Sequence, residues 1–232
     1  HLTDLLDYQE RIHESIGKGR KKVSIGIHDR SELKFPIIYE GLDRGKISFT
    51  TYDGVTGSAA EILQNHPRGI EFGKLIQSDS LVPIILDDAG SVLSMPPVVN
   101  GSSTKVVNDT SKFLVDLTGT DARSVRSAAW ILANYFSSIG YIIEIPQMKC
   151  ESKDMFSNWW SNAKVKLSSS TVMNVLGVPV KPADAVEYLQ KMGLLANTTK
   201  YPLEVQVPGY RNDIMGEVDL IEDLAKSMRY SS

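Results

Sequence analysis

The stretch VPGYRNDIMGEVDLIED, residues 207–223, carries more information about this chain than any other segment. Asp213 and Asp219 stand six residues apart, and Glu222 and Asp223 follow Asp219 at three and four residues. On a helix this spacing places Asp219, Glu222 and Asp223 on one face, with Asp213 at or just before the helix start. Four oxygen donors in this arrangement suit a hard divalent cation such as magnesium.

A structural interpretation of the same carboxylates stays open. Asp213 could be an ordinary N-cap, with the other three side chains on the solvated side of the helix. Unpaired carboxylates are costly to bury, so a packed core is a poor setting for this segment. The spacing alone does not decide between a metal site and a solvated helix face.

The composition indicates a globular protein of one large domain or two modest ones, with 232 residues and 42% hydrophobic residues. No run approaches the roughly 18 apolar residues of a membrane span, and no leader resembles a signal peptide. Cys150 is the single cysteine, which excludes an internal disulfide framework and a multi-cysteine zinc site. We therefore expect a cytoplasmic protein without membrane partners.

The net charge of −3 argues against tight, autonomous binding to nucleic acid. A nucleic-acid partner would have to be met through a local patch or with help from another subunit. The obvious basic cluster is Lys18, Arg20, Lys21 and Lys22. It is either a solvated helix end or a phosphate contact.

Hydrophobic periodicity predicts an α+β fold, with a mixed-sheet domain over residues 1–150. The turn residues DDAG at 87–90 join two apolar runs and predict a hairpin. A strand, a long helix and a further strand over 112–145 resemble a βαβ unit. We expect helices at 1–17, 58–64, 69–77 and 122–139, and strands at 23–27, 37–39, 46–52, 82–86, 91–94, 112–117 and 141–145.

A small α/β, winged-helix-like domain is predicted over residues 164–232, after a linker at 151–163. Within it we expect strands at 164–167 and 203–207, a helix capped by Ser169 or Ser170 and ending at Gly177, and a helix running from Pro182 to Gly193. The acidic helix follows. Near the linker, Trp159 and Trp160 either pack an interdomain seam or stack on bases.

Four strings in order along the chain resemble the archaeal and eukaryotic form of the phenylalanyl-tRNA synthetase β subunit. They are YQERIHESIGKGRKKVSIGIHD at 8–29, VLSMPPVVNG at 92–101, VDLTGTD at 115–121, and the acidic stretch. The last is similar to a family segment that reads Pro-x-x-Arg-x-Asp-Ile and then runs into Asp-Leu-Ile-Glu-Asp. The resemblance implies a fragment of a longer subunit, or one with a naturally divergent end.

The resemblance implies that the first domain is an editing module, which hydrolyses tyrosine mischarged onto phenylalanine tRNA. The matching positions are Ser94, Asp116 and Thr118, with Ile85 as an apolar wall nine residues before Ser94. Gly119 would permit close backbone approach to the ligand. Hydrolysis of a reactive ester requires a positioned water and a stabilised oxyanion rather than a strong nucleophile.

Selectivity for tyrosine requires a polar group deep in the pocket, because a site built to bond the phenolic hydroxyl rejects phenylalanine. His66 or Glu71, on the helices before the hairpin, could supply that group. Without the resemblance, Ser94 and Thr118 are most simply turn or cap residues, and His28 and His66 are ordinary satisfied histidines. Asp116 in an apolar strand is harder to explain structurally.

The resemblance also implies that Asp213, Asp219, Glu222 and Asp223 bind a magnesium ion shared with the catalytic α subunit. The implied partners are that α subunit and phenylalanine tRNA, within an α2β2 enzyme. Two functions stay open: an editing hydrolase, and a non-catalytic scaffold or tRNA-binding module of the synthetase. An autonomous nucleic-acid regulator is disfavoured by the acidity of the chain.

Overall fold

The computed structural model describes residues 2–149, 160–196 and 199–229. The chain divides into two compact units, residues 1–128 and residues 129–232. The α+β class is confirmed, and in place of one mixed sheet the described strands form four antiparallel sheets. Among the described residues, each helix is too short or too polar to cross a membrane.

The first unit is built from short strands and helices. The elements are α1 (Leu2–Glu14), β1 (Val23–Asp29), β2 (Ile37–Asp43), β3 (Ser48–Thr50), β4 (Thr56–Ser58), α2 (Ala59–Asn65), α3 (Pro67–Phe72), β5 (Leu81–Asp87), β6 (Val92–Met95), β7 (Val99–Asn100) and β8 (Phe113–Gly119). A helix α4 (Ala122–Ser138) follows and continues into the second unit.

A four-stranded sheet in the order β2-β5-β6-β7 forms the centre of the first unit, and β1 pairs separately with β8. The predicted hairpin is confirmed as β5 and β6, in which Ile85 lies opposite Ser94. Alternation along these strands sends one set of side chains into a core with helix α2. Its largest fully buried members are Ile62, Ile84 and Met95.

Helix α1 is fastened to strand β1 by two of its own side chains. Gln9 donates from Nε2 to the carbonyl oxygen of Ile25 at 2.7 Å. The backbone N–H of Ile25 donates to Nε2 of His13 at 2.9 Å. Both side chains are buried, so together they satisfy strand backbone groups that another strand would otherwise pair.

The second unit contains the rest of α4 and then β9 (Ala163–Leu167), α5 (Ser169–Leu176), α6 (Pro182–Lys191), β10 (Leu195–Ala196), β11 (Leu203–Val207) and α7 (Glu217–Arg229). Its sheet has the order β10-β11-β9, and an apolar core lies between this sheet and the helices. Pro182 at the start of α6 and left-handed Gly177 after α5 confirm two predicted helix limits. The N-cap of α5 is Ser168, one residue before Ser169, the first of the two predicted caps.

The strand predicted over residues 141–145 is wrong. No strand is formed there within the described part of the chain, and Ile142 is 90% exposed. Apolar alternation shows that a segment can pair, but a ladder also requires a partner strand. The expected βαβ unit is therefore absent from the described residues.

Most of the predicted linker 151–163 lies outside the described residues, as does Trp159, so the limits of the two predicted domains stay a prediction. Trp160 is described and contacts Trp130 within the second unit, with ring centroids 5.4 Å apart. Gly209 follows strand β11 and lies against the same Trp130 ring, where a Cβ would stand only 2.2 Å from the indole.

Glu10 on helix α1 is predicted to contribute pH-dependent stability. The contact with His13, whose Nδ1 lies 3.4 Å from the carboxylate, and the charge of Arg20 at 2.8 Å lower the pKa of Glu10 from 4.5 to about 2. A lowered pKa stabilises the fold above pH 4.5, and that stability is lost as the pH falls toward 2. Because Glu10 is half-exposed, we expect Glu10→Gln to lower the free energy of unfolding by at most about 1 kcal/mol at pH 7.

Urea unfolding of wild type and Glu10→Gln at pH 7, 4 and 2.5 measures this effect. The difference should shrink steadily between the first and the last pH. Glu14→Gln, on the exposed side of the same helix, serves as the control and should show no such trend. A constant difference for Glu10→Gln across the three pH values would contradict the assignment.

Candidate functional site

A cavity of about 420 Å³ lies within the first unit, between the proline loop after β6 and the strand pair β1–β8. Its lining includes Ser94, Pro96 and Pro97 from one side and Gly26 and Asp116 from the other. The volume falls in the range of small-molecule sites. The proline loop and the acidic strand therefore face one hollow, as the resemblance requires.

The register of β1 and β8 determines where Asp116 points. Gly26 lies directly opposite Asp116, and Ser24 lies opposite Thr118. Since side chains alternate along a strand, Ser24, Gly26 and His28 share one face with Asp116 and Thr118. Gly26 has no side chain, which leaves room above the strand for the Asp116 carboxylate.

His28 is the neighbour of Asp116 in this space. Its Nε2 lies 2.7 Å from Oδ2 of Asp116, and its Nδ1 lies 2.7 Å from Oγ1 of Thr104. His28 is fully buried, while Asp116 keeps 12% of its side chain exposed. The sequence predicts an ordinary satisfied histidine at position 28, and no local pattern identifies Thr104 and Asp116 as its partners.

Ser94 approaches the same carboxylate from strand β6. Its hydroxyl Oγ donates to Oδ2 of Asp116 at 3.4 Å, and the residue is only 2% exposed. Ile85 lies opposite Ser94 across the β5–β6 pairing and is buried on the same face. The structure thus brings Ser94, Asp116 and His28 together, with Ile85 beside Ser94.

Arg20 holds the proline loop in place. From a backbone with φ of 64°, its Nη1 donates to the carbonyl oxygens of Pro97 at 3.2 Å and Val98 at 3.3 Å. Its guanidinium also lies over the Phe72 ring, 4.4 Å from the centroid. Burial lowers the pKa of Arg20, and the Glu10 charge opposes that shift. This member of the basic cluster is a structural anchor of the cavity wall.

The other predicted site residues lie apart from this cavity lining. Thr118 is on the same strand face as Asp116 but is not among the described lining residues, and neither are Ile85, Gly119 and His66. A Cβ on Gly119 would stand 2.2 Å from the backbone oxygen of Lys22, so this glycine permits close packing of chain against chain.

His66 is a second buried histidine that contacts an aspartate. Its Nε2 lies 3.1 Å from both carboxylate oxygens of Asp53, and its Nδ1 accepts from the backbone N–H of Arg68 at 3.1 Å. It therefore caps helix α3. Glu71, the alternative reader of the tyrosine hydroxyl, lies 3.5 Å from Arg68 with over half of its side chain exposed.

The acidic segment of the second unit is organised by Arg211. Its Nη2 donates to Asp213 at 2.6 Å and to Asp223 at 2.7 Å. Hydrogen bonding to Arg211 lowers the pKa of Asp213, and the same contact raises the pKa of Arg211. Arg211 thus neutralises two of the four predicted magnesium ligands.

The other two carboxylates have partners of their own. Asp219 accepts from the backbone N–H groups of Met215 and Gly216 at 2.8 and 2.9 Å, and Glu222 pairs with Lys226 at 2.7 Å. Within the described ranges no three His, Cys, Asp or Glu side chains gather as a metal-binding group. By itself the arrangement fits helix capping and ion pairing, and does not fit a complete magnesium shell.

Comparison with known proteins confirms the resemblance. Residues 165–230 match the family model of the tRNA synthetase B5 domain. The chain is 41% identical, over 97% of its length, to the phenylalanine–tRNA ligase β subunit of Thermoplasma volcanium. It is 36% identical, over 98% of its length, to that of Thermoplasma acidophilum. The chain spans 42% of the length of each of these relatives.

A solved structure gives the same result. An N-terminal fragment of the phenylalanyl-tRNA synthetase β subunit from Pyrococcus horikoshii matches with a TM-score of 0.86 and 26% sequence identity. The match covers 99% of this chain and 66% of that fragment. The likeness therefore extends through both compact units.

We expect Gly26→Ala to disrupt the centre of the cavity. The new Cβ would stand 2.0 Å from Oδ2 of Asp116 and 2.6 Å from Nε2 of His28, so both side chains would have to move. Overpacking of this kind costs roughly 1–3 kcal/mol of unfolding free energy. Gly41→Ala is the control, because its Cβ would meet nothing closer than 3.7 Å.

Denaturant unfolding of wild type and the two variants provides the measurement. The control should stay within about 0.5 kcal/mol of wild type. Equal stability of Gly26→Ala and Gly41→Ala would show that the Asp116–His28 pair does not occupy the space opposite Gly26.

Proposed function

The chain is homologous over nearly its whole length to part of the phenylalanyl-tRNA synthetase β subunit, and we propose that its first unit hydrolyses tyrosine wrongly esterified to phenylalanine tRNA. The observation that carries the proposal is the joint lining of one cavity by Ser94, Asp116 and the Pro96–Pro97 loop. A carboxylate that is 12% exposed at a cavity wall, beside a buried hydroxyl, is the chemistry an ester hydrolase requires.

The proposed reaction is direct attack by water. The water oxygen bonds to the ester carbonyl carbon, the bond from that carbon to the ribose oxygen breaks, and a proton from the water passes to the ribose oxygen. Asp116 accepts a hydrogen bond from the attacking water and so orients it. The Ser94 hydroxyl is placed to donate to the developing oxyanion or to the ribose.

Charge at the cavity supports an anionic substrate end. The chain has a net charge of −3, yet Arg68 and Lys105 line the cavity beside Arg20. Arg20 is engaged by Glu10 and the loop carbonyls, and Arg68 lies 3.5 Å from the Glu71 carboxylate, so we propose Lys105 as the lining cation that meets an incoming phosphate. A local patch of this kind attracts a nucleotide terminus even where the whole chain would not.

For the second unit we propose the supporting role that the sequence also indicated. The match of residues 165–230 to the tRNA synthetase B5 domain favours a docking or scaffold function in the assembled synthetase. We propose the α subunit and phenylalanine tRNA as partners in an α2β2 enzyme of the cytoplasm. Shared magnesium at Asp213, Asp219, Glu222 and Asp223 would require the α subunit to complete the site, since Arg211 holds two of these carboxylates.

We expect this chain to release tyrosine from tyrosyl-tRNA made with phenylalanine tRNA, and Asp116→Asn to slow that release about 10²- to 10⁴-fold. The amide cannot orient the water as a carboxylate does. Single-turnover ester loss at high protein concentration is the measurement, because the net charge of −3 predicts weak binding of tRNA by this chain alone. Asp109→Asn, an exposed surface aspartate, is the matched control and should leave the rate unchanged.

If folded wild-type protein hydrolyses tyrosyl-tRNA no faster than buffer does, the hydrolase function is contradicted and the scaffold function is favoured. Phenylalanyl-tRNA should be hydrolysed far more slowly than tyrosyl-tRNA. Equal hydrolysis of both esters would contradict an editing role and indicate a non-selective esterase.

We further expect the isolated chain to bind magnesium with a Kd of roughly 1 mM or weaker. Arg211→Gln should tighten binding, because Asp213 and Asp223 would lose the guanidinium that neutralises them. Lys191→Gln removes a positive charge from the same unit, paired instead with Glu187, and controls for net charge. Tight binding by the wild-type chain in calorimetry would contradict the need for a partner.

A further inference from the structure

We propose that His28 is a positioning residue, which orients the Asp116 carboxylate toward the cavity through a hydrogen-bond relay that starts at Thr104. The inference rests on the proposed ester hydrolysis and adds to it the contacts that hold Asp116 in place. The relay runs from Thr104 Oγ1 to His28 Nδ1 at 2.7 Å, and from His28 Nε2 to Asp116 Oδ2 at 2.7 Å.

The direction of the relay follows from the chemistry of its members. An ionised carboxylate only accepts hydrogen bonds, so the hydrogen between His28 and Asp116 belongs to Nε2. In a neutral ring Nδ1 is then an acceptor, and the Thr104 hydroxyl is its donor. Thr104 is itself fixed, because its carbonyl oxygen accepts from the backbone N–H of Asp29 at 2.9 Å.

The relay leaves one oxygen of Asp116 for the reaction. Within the described residues, the hydrogen bonds to this carboxylate come from His28 and Ser94, and both go to Oδ2. Oδ1 is therefore available to a water in the cavity. Holding Oδ2 from the buried side limits rotation of the carboxylate, and rotation of the acceptor would misplace the attacking water.

The contact between His66 and Asp53 serves as a comparison, because His66 has a structural function as the cap of helix α3. His66 also bonds an aspartate, but its other ring nitrogen caps a helix and its partner Asp53 is 41% exposed. His28 uses its other nitrogen only to receive Thr104, and its partner lines the cavity. The two pairs therefore differ in what the histidine holds, since the carboxylate bonded to His28 lies at the wall of the candidate site.

Single-turnover hydrolysis of tyrosyl-tRNA at varied protein concentration tests this role, since it separates the maximal rate from the concentration dependence. We expect His28→Leu to lower the maximal rate roughly 10²-fold with little change in half-saturation. His28→Gln retains an amide donor of similar reach and should recover to within about tenfold of wild type. Thr104→Val should fall between them.

Thr110→Val is the matched control for Thr104→Val. Thr110 is a buried threonine of the same loop, but its hydroxyl donates to Asp29 at 2.7 Å and lies outside the cavity lining. Its maximal rate should equal that of wild type. Histidine ring ¹⁵N spectra of wild type should show a protonated Nε2 for His28, a readout that is independent of activity.

The outcomes separate the two proposals. An inactive, folded wild type with a protonated Nε2 would overturn the hydrolase and, with it, the positioning role. An active wild type with His28→Leu equally active would overturn the positioning role alone, and so would an unprotonated Nε2. If His28→Leu does not fold by circular dichroism, equal maximal rates for Thr104→Val, Thr110→Val and wild type would overturn it instead.

Discussion

The antiparallel pairing of β1 with β8 is the constraint on which the candidate site depends. It places Gly26 opposite Asp116, and the missing side chain is what allows the carboxylate to lie over the strand beside His28. A shift of one strand by one residue would place Asp116 and His28 on opposite faces of the pair. The register therefore determines whether His28 can hold the Asp116 carboxylate at the cavity wall.

That register is stabilised from outside the strand pair. Gln9 and His13 satisfy the backbone of Ile25 from helix α1, next to Gly26. Arg20, a few residues beyond the same helix, carries hydrogen bonds across to Pro97 and Val98. One short helix and its following turn thus hold both walls of the cavity. Breaking these contacts would leave a buried backbone group or the buried guanidinium without a hydrogen-bond partner, which destabilises the fold.

Local sequence patterns predicted turns and helix limits, but they did not predict contacts between residues that are distant in sequence. Alternation and turn residues located the β5–β6 hairpin, and Gly177 and Pro182 marked helix limits. Ser94, Asp116 and Thr118 were assigned from family resemblance and expected at one cavity; Ser94 and Asp116 line it, whereas Thr118 is not among the described lining residues.

The role of His28 was not predictable from the sequence alone, because its partners Thr104 and Asp116 are 76 and 88 residues away. The strand expected at 141–145 is absent because strand formation also depends on a partner that is distant in sequence. Its residues have the pattern of a strand, but in the described part of the chain nothing pairs with them.

The acidic segment is already paired within the free chain. Arg211 joins Asp213 to Asp223, which is 4% exposed, and a buried carboxylate of this kind needs such a partner in the free chain. Asp219 and Glu222 are already used in capping and in a surface ion pair. A cation could compete for these oxygens only if another subunit supplied further ligands or drew Arg211 away. In the free chain these carboxylates are therefore balanced by Arg211, by Lys226 and by backbone N–H groups, and the magnesium site that we propose would have to displace those partners.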